Sequence, residues 1–159
     1  MKSLRSGQVP LGDLILAVIV IGMLGLTAEL LLMEHTESWQ QWIPIVALSL
    51  GMGVTAWLRV HSSRTTVIVF TTLMALYLGA GLLGVYFHYE GNVEFVLERT
   101  PELSGLALAW EALRGATPAL APGAMAQLGL MGLVYVYAYG HPSIWKQAVS
   151  SKTKTESER

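Results

Sequence analysis

Four long apolar segments, separated by polar connections, dominate the chain. They cover roughly residues 12–33, 43–60, 66–87 and 123–140, and Asp13 is placed to cap the first of them. Each segment is close to the about 20 residues that an α-helix needs to cross the hydrocarbon core of a bilayer. Lipid cannot hydrogen-bond to exposed backbone, so spanning segments of this kind fold as helices. The pattern predicts an all-α integral membrane protein, a bundle of four transmembrane helices.

The third connection, residues 88–122, is the longest and carries its own helix signal. Thr100 can cap a helix, Pro101 suits its first position, and Gly115 follows its end. One face of such a helix is apolar, with Leu103, Leu106, Trp110 and Leu113. Residues 101–114 are therefore predicted to form an amphipathic helix that is too short to span and lies on the outward membrane interface.

Charged residues divide between the two sets of segment ends. Eight of the ten Lys and Arg residues lie in the N-terminus, the second connection and the C-terminus, whereas eight of the eleven acids lie in or beside the first and third connections. Cytoplasmic loops collect Lys and Arg. We therefore expect both termini in the cytoplasm, with residues 1–145 as a domain in a bacterial inner membrane and residues 146–159 as a disordered tail.

The composition agrees with a membrane protein and disfavours several functions. Hydrophobic residues make up 53% of the 159 residues and charged residues only 13%. The net charge of −1 gives no general attraction to nucleic acid, and the absence of cysteine excludes disulfides, thiolate metal sites and iron–sulfur clusters. The chain also lacks a phosphate-binding loop, a nucleophile elbow and a His-Glu-x-x-His motif. These absences favour a protein that is not an enzyme.

Histidines and carboxylates lie together in sequence at the outward ends of the first and third segments. His35 and His88 each have acids nearby, and Glu29 is unusual because it lies inside an apolar segment. Imidazole with carboxylate is a common ligand set for Zn, Mn, Fe or Ni. The leading hypothesis is a divalent metal site for sensing, storage or passage of the ion, with Glu29, Glu34, His35, His88, Glu90 and Glu94 as ligands. A solvated acidic face is the alternative interpretation of the same residues.

Two further hypotheses stay open beside the metal site. Small residues at four-residue spacing, such as Ala75 and Gly79, let helices approach closely in lipid. They serve a tight bundle, a homo-oligomer or contact with other membrane subunits. The second hypothesis is therefore a non-catalytic accessory or structural subunit of a larger membrane complex, whose acidic outer surface docks a basic partner.

The third hypothesis is a b-type haem module for electron transfer. His61 and His141 lie at the inward ends of the second and fourth segments, so each membrane face carries two histidines. Haem ligands in such a bundle lie within the apolar layer, and no histidine lies in the middle of a segment. The haem hypothesis is therefore the weakest of the three.

Overall fold

The computed structural model describes residues 9–34, 36–115 and 120–139, and within these ranges the chain forms five α-helices and no strand. The helices are α1 (Leu11–Leu32), α2 (Trp39–Val60), α3 (Arg64–Arg99), α4 (Gly105–Leu113) and α5 (Gly123–Tyr139). Helices α1, α2 and α3 are long and apolar enough to cross a membrane, and α5 is apolar but shorter. The all-α class is confirmed, and the three long helices indicate a membrane protein. The predicted tail, residues 146–159, lies outside the described residues.

The described residues belong to two compact units. Unit 1 contains those of Met1–Thr72 and Met131–Arg159, and unit 2 contains those of Leu73–Leu130. In unit 1, α1 packs against α2, and Ile19, Met23 and Leu48 are fully buried. Around the rest of α1 large apolar side chains are exposed, including Leu14, Val18, Ile21, Leu24 and Leu31. A helix that is apolar on all sides suits lipid better than water.

An ion pair joins the beginning of α1 to the end of α2 in unit 1. The Asp13 carboxylate lies 3.0 Å from Nε of Arg59 and also accepts a hydrogen bond from its guanidinium. The predicted capping role of Asp13 is wrong, because Pro10 occupies the N-cap position and no side chain caps the helix. Asp13 lies instead in the first turn, where a negative charge also favours the helix dipole.

Helix α2 begins four residues before the apolar segment does. Ser38 is its N-cap, and the Gln41 side chain accepts hydrogen bonds from the backbone N–H groups of Glu37 and Ser38. Ser38 and Gln41 thus form a capping box, which satisfies backbone donors that the start of a helix leaves free. The Ser-x-x-Gln spacing is the sequence signal for this start, and hydropathy alone does not detect it.

Helix α3 continues twelve residues beyond the predicted end of the third segment, as far as Arg99. Pro101 stops it, because a proline disfavours helical geometry at the preceding residue, Thr100. The predicted helix over residues 101–114 begins four residues too early. Thr100 accepts a hydrogen bond from the N–H of Leu103 in a turn, and α4 starts only at Gly105, whose φ of +61° lies in the left-handed region that suits glycine.

Glycines bring α3 and α5 together in unit 2. A Cβ atom built on Gly84 would lie 2.7 Å from Cβ of Pro122, and one built on Gly81 would lie 2.8 Å from Cβ of Ala126. These contacts are too close for any side chain, so only glycine permits the observed separation. Residue numbers fall along α3 as they rise along α5, so the two helices are antiparallel in this unit.

Candidate functional site

Two predicted metal ligands lie at the end of α1 in unit 1. Glu29 is in the last turn of the helix, and Glu34 follows it; both side chains are exposed. Glu34 has a φ of +53°, in the left-handed region that residues other than glycine seldom adopt. This conformation ends the helix, and the N–H of Glu34 donates to the Leu31 carbonyl. Both carboxylates therefore lie on the surface of unit 1.

His35 lies outside the described residues, and so does His141. The predicted metal site depends on a meeting of His35 with His88, which stays a prediction. Among the residues that the structure describes, no three His, Asp or Glu side chains come together in an arrangement that could hold a metal ion.

The remaining predicted ligands lie on the polar end of α3 in unit 2. Glu90, Glu94 and Glu98 are exposed and recur every four residues along one side of the helix; we call these three residues the acidic ridge. Neighbouring carboxylates at this spacing repel each other by about 0.2–0.5 kcal/mol per pair. At 100° per residue, Glu90 lies about 200° around the helix from His88. The imidazole and the Glu90 carboxylate therefore point in different directions.

His88 itself is partly buried. Its Nδ1 atom is inaccessible to solvent and has no hydrogen-bond partner among the described residues. A buried polar atom without a partner is uncommon and requires an explanation, such as a bound water or ion. This nitrogen is the one feature of the predicted ligand set that favours a bound group.

Asn92 is a buried polar residue with a structural role, and neither the hydropathy nor the charge pattern of the sequence points to it. It lies one turn beyond His88, is only 2% exposed, and donates a hydrogen bond from Nδ2 to the Ala112 carbonyl oxygen over 2.9 Å. Gly115 lies so close that a Cβ atom there would be 2.7 Å from Oδ1 of Asn92. The amide therefore fixes the end of α4 against α3. Asn92 follows His88 by four residues. Once residues 88–99 are recognised as helical, this spacing indicates that Asn92 lies on the same face of α3 as the partly buried His88.

The predicted apolar face of α4 is exposed and does not pack against the other described residues of unit 2. Leu106 is 90% exposed and Trp110 is 60% exposed, and Leu113 lies on the same face. Ala112 is fully buried, which places the packed side of α4 opposite to this face. The guanidinium of Arg114 lies 5.9 Å from the centre of the Trp110 ring, a cation–π distance. Within the described residues this apolar face has no cover.

No protein-family model matches the chain, and neither a curated protein nor a solved structure matches it. The function is therefore inferred from the residues alone.

Proposed function

We propose that the chain is a non-catalytic subunit of a membrane complex, which docks a basic partner on its outward acidic surface. The supporting observation is that all three acids of the acidic ridge in unit 2, Glu90, Glu94 and Glu98, are exposed. Metal coordination draws several carboxylates around one ion. Docking of a basic protein instead leaves them on the surface, where they attract and orient the partner.

The charges of the acidic ridge are not neutralised within the described chain. The one ion pair among the described residues joins Asp13 to Arg59. Arg99, the cation nearest to the ridge in sequence, has its guanidinium 5.5 Å from the centre of the Phe95 ring. Three adjacent carboxylates without a cation form a negative patch that a Lys- or Arg-rich segment would complement.

The proposed membrane arrangement has four spans. Helix α5 is the fourth span, since its 17 described residues measure about 25 Å and it returns antiparallel to α3 in unit 2. Both termini are cytoplasmic in a bacterial inner membrane, as the Lys and Arg distribution favours. If the hydrocarbon ends at Phe87, Asn92 lies about 7–8 Å beyond it. The end of α4 then lies at headgroup depth, where Trp110 and its apolar neighbours contact the interface.

The docking surface is tested by measuring how much bound partner the protein retains at two salt concentrations. Wild-type protein, extracted gently from its own membranes, is compared with a variant that carries Gln in place of Glu90, Glu94 and Glu98. A control variant carries Gln in place of Glu34, Glu102 and Glu111, so the change in net charge is identical.

We expect a stoichiometric basic partner with the wild type at low salt. Three exposed charge pairs of about 0.2–1 kcal/mol each predict a loss of roughly 3- to 150-fold in affinity for the ridge variant. The control should lose less, and high salt should weaken wild-type binding because it screens the charges. The absence of a stoichiometric partner, or equal losses in the two variants, refutes the proposal.

A divalent metal ion is the second candidate, and the unpartnered Nδ1 of His88 favours it. A neutral imidazole nitrogen binds Zn, Mn, Fe or Ni, so His88 would be one of the ligands. Elemental mass spectrometry of the purified protein compares wild type with a His35→Ala/His88→Ala variant and with His61→Ala as the control. Near-stoichiometric metal that only the double variant loses supports the site, whereas no metal after metal-replete growth refutes it.

A further inference from the structure

Gln127 is a polar residue on an exposed, otherwise apolar side of α5. Its side chain is exposed and makes no hydrogen bond within the described residues. Its neighbour Ala126 lies against Gly81 in unit 2, and Gly81 is six residues before Phe87 on α3. At 1.5 Å per residue, Gln127 therefore lies about 10 Å below the level of Phe87, well inside the predicted hydrocarbon layer.

At this depth the amide needs a hydrogen-bonding partner. A primary amide has two donor hydrogens and an acceptor oxygen, and lipid tails satisfy none of them. Glu29, in the last turn of α1, is close enough to the end of its helix to reach the interface. Gln127 cannot reach the interface, because its side chain lacks the length with which Lys and Arg reach the headgroups. No described residue of this chain supplies that partner, whereas a second protein within the bilayer can.

We infer that Gln127 pairs with Gln127 of a second copy of this chain. All copies insert with the same orientation, so a two-fold axis along the membrane normal brings each residue of α5 opposite itself. The amide is self-complementary, because the N–H of one copy donates to the carbonyl oxygen of the other and the reverse. Each amide then donates one hydrogen bond and accepts one, without a charged or differently shaped partner.

The surroundings of Gln127 suit a close parallel contact between two α5 helices. Ala124, Gln127 and Leu130 are all exposed and follow one another at three-residue spacing along α5. Residues three apart are neighbours on one helix face, where a single polar position can set the register of a helix pair. Ala124, one turn from Gln127, is small enough to let the helices approach. The surface differs from the acidic ridge, so this dimer does not depend on the proposed partner.

The native chain contains no cysteine, so a single introduced cysteine reports the contact directly. Ala124→Cys places a thiol on the proposed seam, and Leu83→Cys places one on an exposed apolar position of α3 in the same unit. Both proteins are oxidised in native membranes, and the disulfide-linked dimer is measured. We expect a dimer yield at least fivefold higher from position 124 than from position 83.

Substitution of Gln127 in the Ala124→Cys background completes the test. Gln127→Leu should reduce the dimer yield at least fivefold, and Gln127→Asn, which keeps an amide, should retain most of it. Leucine suits a lipid-exposed site, and circular dichroism of each variant checks that the helices are intact. Equal yields at positions 124 and 83, a yield that Leu does not change, or a cross-link to a different protein overturns the proposal. Dimerisation should persist in the acidic-ridge variant, so the two proposals fail separately.

Discussion

Replacement of Gly129 by alanine should destabilise the protein, whereas the same replacement at Gly79 should stabilise it. Gly129 lies where α5 contacts the backbone of α3 in unit 2. A Cβ atom there would lie 2.5 Å from the carbonyl oxygen of Met74 and 2.6 Å from the backbone nitrogen of Leu78. A Cβ atom at Gly79, within α3, would meet nothing within 4 Å among the described residues. The two glycines thus provide a matched pair within one unit.

The expected magnitudes follow from these distances. At Gly129 the obstructing atoms are backbone atoms, which cannot rotate away as a side chain would, so the helices must separate. Overpacking of this kind costs about 1–3 kcal/mol. At Gly79 no contact opposes the substitution, and alanine improves helix propensity by up to about 1 kcal/mol. The free energies of unfolding of the two variants should therefore differ by about 1–4 kcal/mol, with wild type between them.

Unfolding in mixed micelles, followed by circular dichroism as denaturing detergent is added, measures the difference. The ordering of the three proteins is the critical result, because all three share the same micelle and the same denatured state. The close packing of α5 on α3 is refuted if Gly129→Ala is as stable as wild type. It is also refuted if both substitutions shift stability in the same direction, since a general effect of alanine would then explain them.

Three further substitutions test other contacts by the same unfolding measurement. Asn92→Ala should cost about 0.5–1.5 kcal/mol, the net contribution of one hydrogen bond, because the Ala112 carbonyl loses the Asn92 donor and keeps that of the Gly115 N–H; no loss would contradict the anchoring of α4. Asp13→Ala and Arg59→Ala should show a coupling energy of only about 0.2–1 kcal/mol, since Arg59 is 63% exposed; a larger value would indicate a buried pair. Glu34→Gly should raise stability by about 0.5–1 kcal/mol by relieving its positive φ; a loss would show that the carboxylate makes a stabilising contact.

The long apolar helices could be predicted because a membrane imposes a simple rule on composition. The apolar pattern predicts a first segment over residues 12–33, and α1 is Leu11–Leu32, since polar residues mark both ends of the segment. The end of α3 could not be found in this way. Acids at four-residue spacing disfavour a helix locally, and the packing of Asn92 against Ala112 compensates for them through a contact twenty residues away.

The candidate site illustrates the same limit. Residue types and spacing identified Glu90 and His88 as possible ligands, but whether ligands converge depends on how far each one is rotated around its helix. Once α3 is known to be helical through both residues, the rotation of about 200° separates them. Gln127 presents the opposite case. Its polarity is evident in the sequence, and the contact between Ala126 and Gly81 determines its depth.

The length of α3 limits how the protein can tilt in its bilayer. Its 36 residues measure about 54 Å as a straight helix, against a hydrocarbon thickness of about 30 Å. Transmembrane helices tilt by at most about 40°, which still leaves α3 about 41 Å along the membrane normal. About 11 Å of its height must therefore emerge, whatever the tilt. The acids at its C-terminal end determine that this end emerges. Thicker or thinner membranes should therefore change the tilt of α3, while its junction with α4 stays outside the hydrocarbon.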